Sequence, residues 1–258
     1  LSNIRTVICI LLFAASPGAL YGQEAEPAPE PEIPDRWKFA AELSYTDQTG
    51  NRVLRLLTGG LKFAHRESEP FELKGSVETR YGMSEDEVVS RNHFGSLSLD
   101  LDASESWSPF LNVTGERDPF KRLDLRLSGG AGAKYNAYPG GDGNNEAALS
   151  LALLYTYENL RPSDTDPTDP SRFLARWSMR FEGEREITPG ATLEHSTSYQ
   201  PVWDHMADYL LRSETGARVL ITERLALSVS YQLNRTARPP EGVKPDDRLL
   251  KTGLIIDF

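Results

Sequence analysis

From Trp37 to Phe258, apolar side chains recur at every second position, and no helical period competes with them. A period of two makes a strand with one apolar and one polar face, because successive side chains of an extended backbone point to opposite sides. The first run puts Trp37, Phe39, Ala41, Leu43 and Tyr45 on one face, with Lys38, Glu42 and Ser44 on the other. Later runs repeat the pattern. Phe71, Leu73, Val77 and Tyr81 oppose Glu72, Lys74, Glu78 and Arg80; Phe173, Trp177, Met179 and Phe181 oppose Arg176, Arg180 and Glu182. Near the C-terminus, Leu225, Leu227, Val229, Tyr231 and Leu233 oppose Ser228, Ser230, Gln232 and Asn234.

Such runs predict about twelve strands of roughly ten residues, the length that crosses a bilayer at a tilt. Their centres fall near residues 41, 59, 76, 97, 112, 130, 152, 179, 196, 215, 230 and 253, the runs at 59 and 112 being the least regular. Strands of a soluble sandwich are shorter, about five or six residues. The expected fold is therefore all-β, an antiparallel transmembrane β-barrel of about 12 strands over residues 37–258. The links support it. Tight ones (ESEP, SESWS, TPGA, TER) follow even-numbered strands, and longer ones (GMSEDEVVSR, RPSDTDPTDPSR, TARPPEGVKPDD) follow odd-numbered strands, although TDQTGN after the first strand is short. Barrels of the outer membrane keep short turns in the periplasm and longer loops outside. An even strand count then leaves both ends of the barrel on the periplasmic side.

Before the barrel, residues 1–22 read as an export signal: Arg5, then an apolar stretch from Val7 to Ala15 too short to span a bilayer, then small residues up to Gly22. Residues 23–36 alternate proline with acid and are expected to stay extended. The chain's one cysteine, Cys9, lies in the signal, so disulfides, cysteine metal sites and a cysteine nucleophile are excluded once it is removed. A net charge of −10 and the lack of a basic cluster with aromatics argue against a nucleic-acid partner. Mean hydropathy is −0.45, which a barrel shares with soluble proteins because its lumen face is polar. The final strand carries Leu250, Thr252, Leu254, Ile256 and Phe258 in alternation, and the terminal Phe258 resembles the signal read by the barrel assembly machinery.

Three segments resemble one family. AELSYTDQTGN after the start of the barrel, RLDLRLSGGAGAKY in the middle, and the tail from YQPVWDHMADYLL to the Pro-Pro, Asp-Asp and terminal Phe are similar to the family called domain of unknown function 481, the YdiY-like "salt-induced outer membrane proteins". The resemblance runs over most of residues 37–258. It implies an outer-membrane barrel with no established activity, and it transfers no catalytic or binding residue.

The polar face supplies the candidate site. Glu78, Arg80, Arg126, Arg176, Arg180, Glu182, Arg212, Glu214 and Arg218 are expected to face the lumen, with Glu72, Asp124 and Lys134 beside them. Inward charges of both signs either pair across strands and fill the interior or line a narrow water channel. Other constellations carry less. His195 and Thr197 share a strand face at the spacing of the His and Ser of outer-membrane phospholipase A, but a nucleophile needs a base held by a third group, and the next strand offers no matching Asn. Asp164, Asp166 and Asp169 lack the Gly and Glu of a calcium loop and sit among prolines. Gly129, Gly130 and Gly132 precede no helix, so they suit bending or close packing rather than a phosphate cradle. No cofactor or metal is expected. The expected surroundings are outer-membrane lipid and lipopolysaccharide, with oligomeric state left open. The expected role is a structural or envelope-stress barrel, or a narrow pore for small polar solutes, rather than an enzyme. A lipid-active enzyme at His195 and a soluble periplasmic lipocalin-like binder stand as alternatives.

Overall fold

The structure, a computed structural model, describes residues 37–48, 54–65, 71–84, 87–101, 106–137, 145–161 and 171–257. The export signal, the acidic proline-rich segment, the Asp164–Asp169 constellation and Phe258 lie outside the described residues.

Twelve strands follow one another: β1 (Trp37–Gln48), β2 (Leu54–His65), β3 (Phe71–Ser84), β4 (Glu87–Leu101), β5 (Trp107–Asp118), β6 (Leu123–Asn136), β7 (Asn145–Leu160), β8 (Ser171–Thr188), β9 (Ala191–Val202), β10 (His205–Leu220), β11 (Leu225–Thr236) and β12 (Asp246–Asp257). Each pairs antiparallel with its chain neighbours, and β1 closes the ring on β12 with Leu43 opposite Leu254. Every centre expected from the alternation lies inside its strand. Closure leaves no free sheet edge, so all ladder hydrogen bonds are made within the wall.

The strands are longer than the expected ten residues, from 12 in β1 to 18 in β8. Backbone pairing does not require apolar side chains, so hairpins continue where the alternation stops. The segment GMSEDEVVSR, expected as a loop, is mostly hairpin: β3 runs to Ser84, β4 starts at Glu87, and Tyr81 pairs Arg91 across a bulge near Gly82 and Met83. Only Trp203 and Asp204 separate β9 from β10, whereas β7 does not begin until Asn145 after β6 ends at Asn136. The expected alternation of loop lengths therefore fails at these three links. It holds at the long links after β7 and β11.

Faces sort by parity as the sequence pattern requires. Trp37, Phe39, Leu61, Phe71, Val77, Leu111, Leu149, Phe173 and Leu250 are exposed on the outside of the wall. The buried residues are largely polar and point inward, among them Thr156, Glu158, Arg176, Gln232 and Lys251. This inverts a soluble fold, and it is the arrangement of a barrel whose outer surface meets an apolar medium.

Glycines allow the wall to close and bend. At the seam, a Cβ on Gly253 would press on the Leu43 carbonyl oxygen at 2.7 Å and on Ser44. On β6, side chains at Gly130 and Gly132 would collide with the backbone carbonyls of Leu153 and Leu151 on β7. The close packing expected of this glycine run is therefore a backbone-to-backbone approach of β6 and β7. Gly75 serves differently, because the ring of Phe63, its cross-strand partner, covers it.

Candidate functional site

The inward charges assemble into two networks that form the two ends of a charged bar in the lumen. Its first end is on β7 and β8, where Glu158 and Arg176 are both 0% exposed. Glu158 accepts from Arg126 Nε at 2.8 Å, from Arg172 at 2.7–2.8 Å and from Arg176 at 3.2 Å. Three guanidinium groups around one carboxylate offset the cost of burying its charge, which a single partner would not do as fully. Arg176 also donates to the Gln200 carbonyl oxygen and lies 3.9 Å from Asp208. From Arg126 the bar passes to Glu116 on β5 at 2.8 Å.

The other end spans strands that are not neighbours in the wall. Arg80 on β3 pairs with Glu78 at 3.2 Å and donates to Gln232 on β11 at 3.0 Å. Lys251 on β12 lies 3.4 Å from Glu78 on β3 and 2.8 Å from Glu214 on β10. Arg212 on β10 lies 3.9 Å from Glu214 and sets its guanidinium 4.8 Å from the centre of the Phe94 ring on β4. Bonds between β3 and β11, β3 and β12, and β4 and β10 can form only through the interior, because other strands intervene in the wall.

The expected lumen residues divide into two groups. Glu78, Arg80, Arg126, Arg176, Arg212 and Glu214 enter the bar. Arg180 and Glu182 pair with each other at 3.3 Å and are both well exposed, and Arg218 pairs with Asp257 on β12, all towards the end of the barrel that carries the chain termini. At that end Lys74 bridges Glu72 at 2.8 Å and Asp100 at 3.5 Å, and Lys134 reaches Asp100 at 2.8 Å. Asp124, expected in the lumen, instead pairs with Arg161 at the rim, where β6 carries a register shift between Leu123 and Leu125.

Glu116, Glu158 and Lys251 were not singled out in the sequence, although each sits at the inward parity of its strand, and Gln232 was placed on the polar face of its strand but not among the candidate lumen residues. Phe94 carried a clearer signal: an aromatic at an inward position of β4, between Asn92 and Ser96. Three buried polar atoms of the interior, Arg80 Nε, Arg176 Nε and Asp208 Oδ1, have no protein hydrogen-bond partner. Buried polar atoms of this kind are ordinarily satisfied by water.

A second polar group lies on the outer face. His195 Nδ1 is 2.8 Å from Thr215 Oγ1, His195 Nε2 is 2.9 Å from Thr197 Oγ1, and Thr197 Oγ1 is 2.9 Å from Ser213 Oγ. The structure thus provides a third group for His195, from β10, as a threonine rather than an asparagine. Among the described residues around it there is no cluster of free donors for a developing oxyanion, because the backbone N–H groups of β9 and β10 are spent in the ladder. Among the described residues, no group of three or more His, Cys, Asp or Glu could hold a metal ion.

A family model described as "Protein of unknown function, DUF481" matches residues 41–258. No curated protein matches the chain. Among solved structures, the chain is similar to the COG4313 outer membrane channel from Pseudomonas putida F1, with 13% identity, 91% of this chain and 100% of that chain covered, and a TM-score of 0.51. It is also similar to the translocator domain of autotransporter NalP from Neisseria meningitidis (11% identity, 86% and 88% covered, TM-score 0.44) and to the KdgM porin (8% identity, 86% and 99% covered, TM-score 0.46).

Proposed function

Because the chain belongs to the DUF481 family, whose members have the description of unknown function, we propose a role from the lumen itself: a narrow outer-membrane pore for ions and small polar solutes, constricted by the charged bar. The observation that carries this reading is that Arg212, Arg80 and Lys251 each reach across the interior to a strand that is not a neighbour. An open porin keeps its lumen clear, whereas here side chains from opposite walls meet. The orphaned atoms of Arg80, Arg176 and Asp208 favour a hydrated constriction over a dry ion-pair core. The location follows from the exposed apolar belt on a closed wall, which suits lipid rather than water. In this reading the protein is not an enzyme, since the outward His195 group lacks an oxyanion site. Phe258 would be read by the assembly machinery during insertion.

The test is conductance of the purified, refolded barrel in a planar bilayer. The wild type is expected to give small unitary currents. Replacing both Arg212 and Phe94 by Ala is expected to enlarge them several-fold. Silence of wild type and double variant alike, with heat-modifiable gel migration showing that both are folded, would overturn the pore reading and leave a structural barrel.

A further inference from the structure

The geometry points to a binding surface for the phosphates of lipid A on the outer wall of β2–β5, at the rim away from the chain termini. It rests on the outer-membrane location proposed above. Arg91 and His93 on β4 and Arg117 on β5 are exposed at outward positions, and Arg55 on β2 shares that face. Their grouping follows from register: His93 pairs Arg117, Tyr81 pairs Arg91, and Met83 pairs Arg55. Residues directly opposite in a sheet hold their Cβ atoms about 4.5–5.5 Å apart, and diagonal neighbours about 7–8 Å apart. Arg91, His93 and Arg117 therefore form one triangle on the surface.

Arg55, Arg91 and Arg117 make no ion pair or hydrogen bond among the described residues, in contrast to the inward arginines of the bar. His93 Nδ1 contacts only the Thr79 hydroxyl, at 3.2 Å. Asp47 stands opposite Arg55 across β1 and β2, and Glu87 is exposed at the start of β4, so the cationic centre of the patch is the Arg91, His93 and Arg117 triangle. The opposite rim on the same strands is built differently: Phe71, Leu99 and Trp107 are exposed there. At that far rim Arg185, on β8, is an exposed outward cation.

An unpaired guanidinium at the edge of an apolar belt is costly in hydrocarbon and favourable beside phosphate, which it binds through two parallel N–H···O bonds. Two arginines and a histidine within one triangle match a phosphomonoester better than the single phosphodiester of a phospholipid. The exposed Tyr81 beside Arg91 marks the interfacial depth at which such headgroups lie. The rim opposite the chain termini is the one that the orientation of outer-membrane barrels places towards the outer leaflet. A bisphosphorylated saccharolipid in that leaflet would seat one phosphate between Arg91 and Arg117, with its acyl chains on the apolar wall below.

The experiment uses the refolded full-length barrel in detergent micelles, with retained lipid read by native mass spectrometry. The probes are bisphosphorylated lipid A, fully dephosphorylated lipid A and phosphatidylglycerol. Wild type is expected to retain the bisphosphorylated form at least about tenfold more than either of the others. The pair Arg91→Glu and Arg117→Glu should lose that preference, and Arg185→Glu should keep it. If charge reversal hinders folding, the Arg91→Gln and Arg117→Gln pair tests the same surface. Equal retention of all three lipids, or an unchanged preference in the double variant, would overturn the assignment. Heat-modifiable migration of every variant reports membrane folding separately, so failure of the lipid preference is distinguishable from failure of the barrel reading.

Discussion

Arg212 and Phe94 meet across the full width of the lumen: the guanidinium of β10 lies 4.8 Å from the ring centre on β4, the strand directly opposite in the closed ring. A cation held over an aromatic face in the lumen sets the sign of the local field as well as the width of the passage. Arg212→Gln keeps the bulk and removes the charge. It is expected to shift the reversal potential in a salt gradient towards greater cation permeability, with little change in unitary current. An unshifted reversal potential would show that Arg212 does not face the conducting path.

Glu158 is the keystone of the bar's other end, because three arginines converge on a carboxylate that is fully buried. Glu158→Ala leaves Arg126 and the buried Arg176 without their shared partner. Breaking a buried pair from one side costs about 3–5 kcal/mol. Arg172 is partly exposed, and its loss should cost about 0.2–1 kcal/mol, as for exposed pairs. Reversible urea unfolding in lipid vesicles measures both. Similar losses for the two variants would mean that Glu158 is not the centre of the network.

Glycine substitutions separate backbone approach from open wall. An added methyl at Gly130 or Gly132 meets backbone carbonyls of β7, which cannot move aside as a flexible side chain could. Each Ala variant is expected to lose about 1–3 kcal/mol or to fold poorly. Nothing lies within 4 Å of a Cβ placed at Gly59 or Gly115, so Ala there should leave stability within about 0.5 kcal/mol of wild type or raise it. Folded yield by heat-modifiable migration ranks the four. Equal yields would contradict the close approach of β6 and β7.

The strand centres and faces were legible because a wall with lipid on one side and polar lumen on the other imposes its period on each strand separately. The ends were not, as the β3–β4 hairpin shows: pairing through Tyr81 and Arg91 needs no apolar residue, so the alternation fades before the ladder does. The lumen partners were hidden for a different reason. That Arg80 meets Gln232, 152 residues away, depends on how the ring closes through β1 and β12, and local periodicity carries no information about closure register. The inward parity of Glu158 and Phe94 was available in the sequence, whereas their partners were not.

Arginine scanning of β11 tests the assignment of faces within a single strand. Leu227 and Val229 are exposed on the outer wall, at 41% and 42%. Arg at either should cost about 2–4 kcal/mol if it sits near the bilayer midplane. The inward positions are not equivalent to each other. Ser230 donates to Glu214 at 3.0 Å, so Arg there shares that carboxylate with Lys251, its cross-strand neighbour, and the carboxylate offsets much of the like-charge cost. Ser228 is buried, with its hydroxyl 3.3 Å from the Gly253 carbonyl oxygen at the closing strand. Arg at that position must displace the seam, and it should cost more than at Ser230 despite facing the lumen. A slip of one residue would exchange the faces and make Ser230 as intolerant as Leu227. The expected order of stability by urea unfolding in vesicles therefore places the Ser230 variant first, the Ser228 variant below it, and the Leu227 and Val229 variants with losses that shrink as the bilayer is thinned. A loss at Leu227 and Val229 that is independent of bilayer thickness would indicate burial against protein rather than lipid, and the transmembrane reading of β11 would fall.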